Sequence, residues 1–244
     1  MSYTENPKTT KSGILTCIPQ DDTCPHNCAD CFFQSGRSYL EPFDKNLPNM
    51  PFPPKVFHRI VRVNDGNDSS HRMEEVLKAT DRYRDRFFNT ANPKHLDEFP
   101  DPVVLTVNPG KKTDKDAYLL EEIPENLMYV RFRVNAWNLD LARKVIAHYT
   151  NLEVPVVLTF MAYFQETLPS EHKDKYIFRK RTTNAYWAIT TDAWREIMKE
   201  WEDNLYVSSC GKIEGEKGST KCRFCDVCLR EYFATKERMD PWAE

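Results

Sequence analysis

Residues 23–33 read Thr23-Cys24-Pro25-His26-Asn27-Cys28-Ala29-Asp30-Cys31-Phe32-Phe33 and come shortly after an apolar run at residues 13–17. The three cysteines have the spacing C-x3-C-x2-C. Three thiolates on one tight loop can converge on one metal centre, and soft sulfur ligands favour iron–sulfur clusters, zinc or copper(I). Structural zinc and ferredoxin-type clusters normally take four protein ligands. A loop that supplies three therefore leaves one coordination position open for chemistry.

The composition is that of one cytoplasmic domain. With 244 residues the chain has ample length for a buried core, and its net charge of −3 argues against an extended nucleic-acid surface or an anionic membrane as partner. No apolar stretch approaches the roughly 20 residues that span a bilayer. Residues 1–12 are polar and lack the apolar centre of a signal peptide.

The eight cysteines need an explanation that suits a reducing compartment, where clustered cysteines are metal ligands more often than disulfides. A disulfide-stapled secreted domain is the alternative. Cys17 stands alone inside an apolar run and is expected to be a small core residue. The others form two groups: Cys24, Cys28 and Cys31, then Cys210, Cys222, Cys225 and Cys228.

Hydrophobic patterns predict six strands that alternate with helices or long connections. Such alternation indicates a parallel α/β sheet with right-handed crossovers, and a flavodoxin-like or other doubly wound sheet is the structural alternative. Helices are expected from Ser69 or Ser70 to about Arg86, and over 139–149, 191–201 and 229–236. Residues 87–101 are read as a loop or broken helix. The strands are predicted at residues 13–18, 56–63, 103–107, 128–134, 154–160 and 205–209.

Three of these strands end on a Val-Asn pair, which places Asn64, Asn108 and Asn135 at their carboxyl ends. In a parallel barrel these ends line the mouth of the active site. Asparagine offers a donor and an acceptor, so a ring of them can hold a zwitterion or a ribose. The alternative is that asparagine simply favours the turn after a strand.

The second cysteine group has the spacing Cys210-x11-Cys222-x2-Cys225-x2-Cys228. Four thiolates are enough to close a metal site without further ligands. Consecutive C-x2-C steps are common to iron–sulfur and zinc sites, so both metals remain open on spacing alone.

The C-x3-C-x2-C loop resembles the cluster motif of the radical S-adenosylmethionine (SAM) superfamily. That resemblance implies a [4Fe–4S] cluster on Cys24, Cys28 and Cys31 that binds SAM and cleaves it to a 5′-deoxyadenosyl radical. The radical takes a hydrogen atom from a substrate, here an unidentified small molecule or peptide. It also implies an electron donor such as flavodoxin or ferredoxin. Asp30 stands where the family usually has an aromatic residue.

The resemblance implies a partial (β/α)6 TIM-like barrel over residues 1–209 and a small cysteine-rich extension over 210–244. The extension is similar to the twitch and SPASM modules that hold auxiliary clusters. A second [4Fe–4S] cluster is therefore expected on its four cysteines, with zinc as the alternative. A non-catalytic zinc- or iron–sulfur-binding regulatory protein is the alternative function.

The same resemblance implies roles for residues near the barrel mouth, and it assigns no catalytic residue beyond the cluster ligands. The turn after the second strand matches in position the family's Gly-Gly-Glu stretch, which holds the amino group of SAM. Asn135 matches a position that contacts the ribose or carboxylate, and Phe32 or Phe33 is expected to pack on the adenine. The candidate SAM contacts are Phe32, Asn64, Asp65, Gly66, Asn67, Asn108 and Asn135.

Overall fold

A computed structural model describes residues 3–26, 28, 48–109, 118–160, 162–163, 168–180, 185–214, 219–222 and 225–240. The helices in these ranges are α1 (Met73–Thr80), α2 (Leu139–Asn151), α3 (Thr191–Lys199) and α4 (Val227–Met239), with short 3-10 helices at Pro53–Lys55 and Ser170–Lys175. The strands are β1 (Ile14–Cys17), β2 (Ile60–Val63), β3 (Arg86–Thr90), β4 (Val103–Val107), β5 (Leu127–Val134), β6 (Val156–Phe160), β7 (Tyr176–Lys180), β8 (Ala185–Ile189), β9 (Val207–Ser209), β10 (Lys212–Glu214) and β11 (Ser219–Lys221).

Seven of these strands form one parallel sheet that curls into a half-barrel. Their order in the sheet is β1-β2-β3-β4-β5-β6-β9, so the strands follow one another in space in the same order as in the sequence. A doubly wound sheet would instead reverse direction at a switch point. The observed order therefore excludes the doubly wound alternative and confirms the expected parallel α/β class.

The two faces of the sheet are covered by different helices. One face packs against α1, α2 and α3 in the larger core, which includes Cys17, Val61 and Val63. The opposite face packs against α4 in a second apolar cluster, which includes Ile60, Phe87 and Tyr232. Because successive strand residues point to opposite faces, parallel strands covered on both sides are buried almost without interruption. In barrels the crossover helices form the outer layer, so α4 occupies the inner side.

The structure corrects the interpretation of residues 87–101, which contain most of β3. This strand is short, and three of its five residues, Arg86, Asn89 and Thr90, are buried polar residues. Phe87 joins the inner cluster, whereas Phe88 packs in the outer core with its ring 5.0 Å from that of Phe99. The buried Arg86 is satisfied by Asp101, whose carboxylate lies 2.8 Å from the guanidinium. Pattern analysis did not find this strand because its polar residues have partners that are distant in sequence. The described sheet therefore has seven strands, not the six that were predicted.

Two element boundaries also differ from the prediction. The second strand starts at Ile60, not at residue 56, because the chain turns at His58, whose φ is 61°. Helix α1 starts at Met73, after Arg72 in the left-handed region, and ends at Thr80, not near Arg86. The expected N-caps are used elsewhere, since Ser70 donates to the carboxylate of Asp68.

A β-hairpin lies between β6 and α3. Strands β7 and β8 are antiparallel. Backbone hydrogen bonds of 2.9 and 2.6 Å join Tyr163, just after β6, to Trp187 in β8. No helix in the described part of the chain is long and apolar enough to cross a membrane.

Candidate metal centres

The first cysteine loop begins where β1 ends, at the carboxyl edge of the sheet. Cys17 closes β1, and its carbonyl accepts from the backbone N–H of Asn64, just after β2, at 2.8 Å. Cys24 and Cys28 follow and are half-buried. Cys31 and Phe32 lie outside the described residues. The structure therefore locates two of the three predicted ligands beyond a strand end, where barrel enzymes carry their active sites.

The stem of this loop is fastened to the connection between β2 and α1. The side chain of Gln20 donates to the carbonyls of Asp68 and His71 at 2.8 and 2.9 Å. In the opposite sense, Asn67 donates to the carbonyl of Asp22 at 2.8 Å, and His71 lies 2.7 Å from the Asp22 carboxylate. The predicted cluster loop and the predicted SAM turn are thus held together.

Asp68 is the buried carboxylate at the centre of this contact. It accepts from Thr90 Oγ1, the Ala91 N–H and the Ser70 hydroxyl over 2.6–2.7 Å. One oxygen also lies 2.9 Å from Nε2 of His26, an ion-pair distance without regular hydrogen-bond geometry. Burial by itself would raise the pKa of Asp68, but the contacts with His26, Ala91 and Thr90 outweigh it and lower the pKa to about 2. Asp68 therefore stays charged, and its contact with His26 ties the segment between Cys24 and Cys28 to the sheet.

The turn after β2 contains four predicted SAM contacts, and most of its polar groups have partners within the protein. The Asp65 carboxylate accepts from Arg62 at 2.6 Å and from Asn6 at 2.7 Å. Asn64 has a φ of 61° and donates to Ser69 at 3.0 Å, and Asn67 holds the loop stem as described. Gly66 is half-buried between them.

The other two asparagines lie at the carboxyl ends of β4 and β5, as predicted. Asn108 is buried directly after β4. The Asn135 amide donates to the Tyr163 hydroxyl at 2.7 Å, and its oxygen accepts from the backbone N–H of Trp137 at 3.0 Å. These contacts fit the alternative in which Asn135 organises the turn after its strand.

The spacing of the second cysteine group follows from its local structure. Strands β10 and β11 form an antiparallel hairpin in which Lys212 pairs with Lys221, so the hairpin returns the chain to its own base. Cys210 and Cys222 flank that base, which accounts for the eleven residues between them. The backbone N–H of Cys225 then donates to the carbonyl of Cys222 at 2.9 Å, and Cys228 lies in the first turn of α4.

All four of these cysteines line one small cavity of about 20 Å³. Arg62, Thr9 and Ser12 line it as well. Within the residues that the structure describes, no three side chains of His, Cys, Asp or Glu form a group that could hold a metal ion. Four thiols around a common cavity are nevertheless the donor set that soft metals and iron–sulfur clusters take.

Two guanidiniums approach this cavity from the inner face of the sheet. Arg62 is buried and Arg131 is half-buried, and both act electrostatically on Cys210 and Cys228. A hydrogen bond with Cys222 lowers the pKa of Cys210 below its ordinary value, and Arg131 and Arg62 act in the same direction against the effect of burial. The same hydrogen bond raises the pKa of Cys222, and burial raises that of Cys228. The surroundings thus favour a thiolate at Cys210 and thiols at Cys222 and Cys228 before any metal binds.

Arg62, Arg131 and Asp68 were missed in the sequence. The first two interrupt apolar strands at positions that alternate with core residues, as in Val61-Arg62-Val63 and Val130-Arg131-Phe132. A charged residue at an inward position of a buried strand is a signal of a functional or structural charge. Asp68 had no comparable signal, because it lies in a run of turn-forming residues.

Comparison with protein-family models, with curated proteins and with solved structures found no match.

Proposed function

We propose that this protein is a radical SAM enzyme, with a [4Fe–4S] cluster on Cys24, Cys28 and Cys31. One observation carries the proposal. A loop with cluster-type cysteine spacing emerges from the first strand of a parallel half-barrel, at the edge where barrel enzymes place their active sites. The clamp between the loop stem and the turn after β2 supports it, because ligands for one cofactor must be held at fixed distances.

When bound, the cluster supplies the electron that cleaves SAM and so generates the radical that attacks the substrate. The chain's own residues supply the geometry. His26 and Asp68 hold the cysteine loop, and Asn67 ties the turn at residues 64–67 to the stem of that loop. Asn108 lies buried at the end of β4 and is proposed to contact SAM, and Phe32 is proposed to pack on the adenine. SAM, an electron donor such as flavodoxin or ferredoxin, and a small-molecule or peptide substrate are the proposed partners, in the cytoplasm.

The finer architecture belongs to the same proposal. We infer a partial TIM-like barrel over residues 1–209, in which β3 is added to the six expected βα units, and a cysteine-rich extension over 210–244. The four cysteines of the extension are proposed to hold a second [4Fe–4S] cluster, and zinc is the alternative. The shared cavity and the two nearby guanidiniums support a metal centre on these cysteines.

Cleavage of SAM tests the function directly. The protein is reconstituted anaerobically with iron and sulfide, reduced with dithionite and supplied with SAM, and 5′-deoxyadenosine is measured by chromatography. The wild type is expected to form it, and Cys24→Ala to lower the yield at least about 100-fold because the loop loses one of three ligands. Cys17→Ala is the matched control, since Cys17 is buried in the outer core.

The absence of 5′-deoxyadenosine from a cluster-replete wild type would contradict the proposal. A chain that binds metal at both cysteine groups without cleaving SAM would instead be the non-catalytic metal-binding protein considered above.

The metal content separates the two possibilities for the second centre. The reconstituted wild type is expected to hold about eight iron atoms, and Cys222→Ala/Cys225→Ala about four, because each cubane contains four. Elemental analysis of protein purified anaerobically provides the measurement. Four iron atoms and one zinc in the wild type, with the zinc lost from the double variant, would establish the zinc alternative.

A further inference from the structure

Arg131 is a half-buried cation without a carboxylate partner among the described residues. Its side chain extends from β5 to the inner face of the sheet, where Nη1 donates to Asn89 Oδ1 and Nη2 to Tyr129 Oη, both at 2.9 Å. Its Nε is buried and makes no hydrogen bond. Both of these partners are neutral and leave the charge of Arg131 uncompensated. Because a charge that is partly withdrawn from water without a counter-charge is costly, a negative group is expected nearby.

The hydrogen bonds around Arg131 have a direction that leads to a sulfur atom. A guanidinium can only donate, so the Tyr129 oxygen must accept from Arg131. The hydroxyl proton of Tyr129 is then free to donate to Cys228 Sγ, which lies 3.2 Å from the hydroxyl oxygen. A thiolate accepts such a bond far better than a thiol does, since hydrogen bonds to charged groups are the stronger ones.

Arg62 does not remove the imbalance. It lines the cysteine cavity, and its guanidinium is paired with Asp65 at 2.6 Å. Among the residues that the structure describes here, two cations and one carboxylate leave one positive charge on this side of the cavity. Four neutral thiols would not compensate it, whereas four thiolates around Zn²⁺, or around a [4Fe–4S] core of charge about +2, carry a net charge of about −2.

We propose that Arg131, acting through Tyr129, is the counter-cation of an anionic tetrathiolate metal centre on Cys210, Cys222, Cys225 and Cys228. This inference rests on the second centre proposed above. Arg131 is a positioning residue that favours the metal-loaded state over the metal-free state. In an iron–sulfur centre it also favours the reduced form, which has one more negative charge, and so raises the reduction potential.

Metal affinity is the primary test. Full-length protein with Cys24, Cys28 and Cys31 replaced by alanine leaves only the second group, and Zn²⁺ is titrated against a chromophoric chelator. Arg131→Met removes the charge but keeps much of the volume, and is expected to weaken Zn²⁺ binding at least tenfold without lowering the thermal stability of the metal-free protein. Arg131→Lys retains the charge and is expected to stay within about threefold. Arg143→Met, in exposed ion pairs with Asp140 and Glu200, is the control and should change neither quantity.

The reduction potential is an independent readout on the iron–sulfur-loaded protein, titrated with dithionite under argon and followed by electron paramagnetic resonance. Arg131→Met is expected to make reduction at least tenfold less favourable, which is 59 mV for one electron. Tyr129→Phe removes only the hydroxyl that contacts Cys228, so a shift in the same direction, smaller than that of Arg131→Met, is expected from a variant that keeps its packing.

The outcomes distinguish this inference from the function on which it rests. A wild-type second group that binds neither zinc nor a cluster would refute the centre itself, before any arginine variant is compared. If the wild type binds metal and Arg131→Met binds it equally well, or loses affinity only in proportion to a loss of metal-free stability, the centre stands and the role of Arg131 is refuted.

Discussion

Asp68→Asn is expected to destabilise the metal-free protein by about 3 kcal/mol at pH 7. The asparagine amide cannot reproduce the carboxylate that accepts from Thr90 and Ala91 and faces His26. It would also place N–H donors against donors in a buried site. Urea unfolding followed by circular dichroism measures the change. The loop between Cys24 and Cys28 loses its anchor as well, so the variant should retain less iron after reconstitution.

The pH dependence gives this prediction a second, sharper form. The folded pKa of Asp68, about 2, lies below its ordinary value of 3.8. A lowered folded pKa stabilises the protein above the ordinary value, and this stabilisation is lost as pH falls through the folded value. The difference corresponds to about 2–3 kcal/mol. The stability gap between wild type and Asp68→Asn should therefore be constant above pH 5 and shrink toward pH 2.

Asp21→Asn is the control for Asp68→Asn. Asp21 belongs to the same loop stem, but its contact with Arg72 is at the surface, so no measurable loss of stability is expected. A gap between wild type and Asp68→Asn that stays the same from pH 7 to pH 2 would show that the carboxylate charge is not the cause.

Tyr232→Ala should have the larger effect on folding, about 3–5 kcal/mol. Tyr232 is 1% exposed and joins α4 to the inner cluster, with its ring 6.4 Å from that of Phe87. Truncation would leave a cavity between the helix and the sheet, because neither backbone can collapse into it. Metal binding at the second centre should weaken as well, since Cys228 lies about one turn before Tyr232 in the same helix.

The neighbouring residue offers a matched control for Tyr232→Ala. Phe233 is also aromatic and lies in the same helix, but it is 63% exposed. Phe233→Ala should change the free energy of unfolding by less than about 0.5 kcal/mol. Comparable losses for Tyr232→Ala and Phe233→Ala in thermal or urea unfolding would contradict the placement of α4 on the inner face.

The local hydrophobic pattern was enough to predict the strands in which consecutive residues are apolar. Residues 103–107 and 156–160 are runs of apolar and β-branched side chains, and both were found as strands β4 and β6. Strand β3 was missed because Arg86 and Asn89 are polar, and their partners Asp101 and Arg131 lie far away in the sequence. Pattern analysis sees the polarity of a residue but not the partner that makes its burial possible.

The candidate sites divide in the same way. Cysteine spacing alone indicated both groups, and the hairpin that explains the eleven-residue gap was not needed for that prediction. The contacts of Asp68 with His26 and of Tyr129 with Cys228 depend on the fold, since the latter joins residues 99 positions apart. Such pairs have no local signature. The predicted ligand Cys31 and the predicted contact Phe32 lie outside the described residues and stay predictions, as does the division of the chain at residue 210.

The position of α4 has a consequence for the order in which the protein is made. The amino end of the chain leaves the ribosome first, so all seven strands of the half-barrel emerge before α4 does. Until then Phe87 and its neighbours on the inner face lack the apolar contacts that α4 makes with them. The first cysteine loop is complete early, whereas Cys225 and Cys228 arrive last. Maturation should therefore be sequential, with the second centre closing the barrel only after synthesis of the helix that carries it.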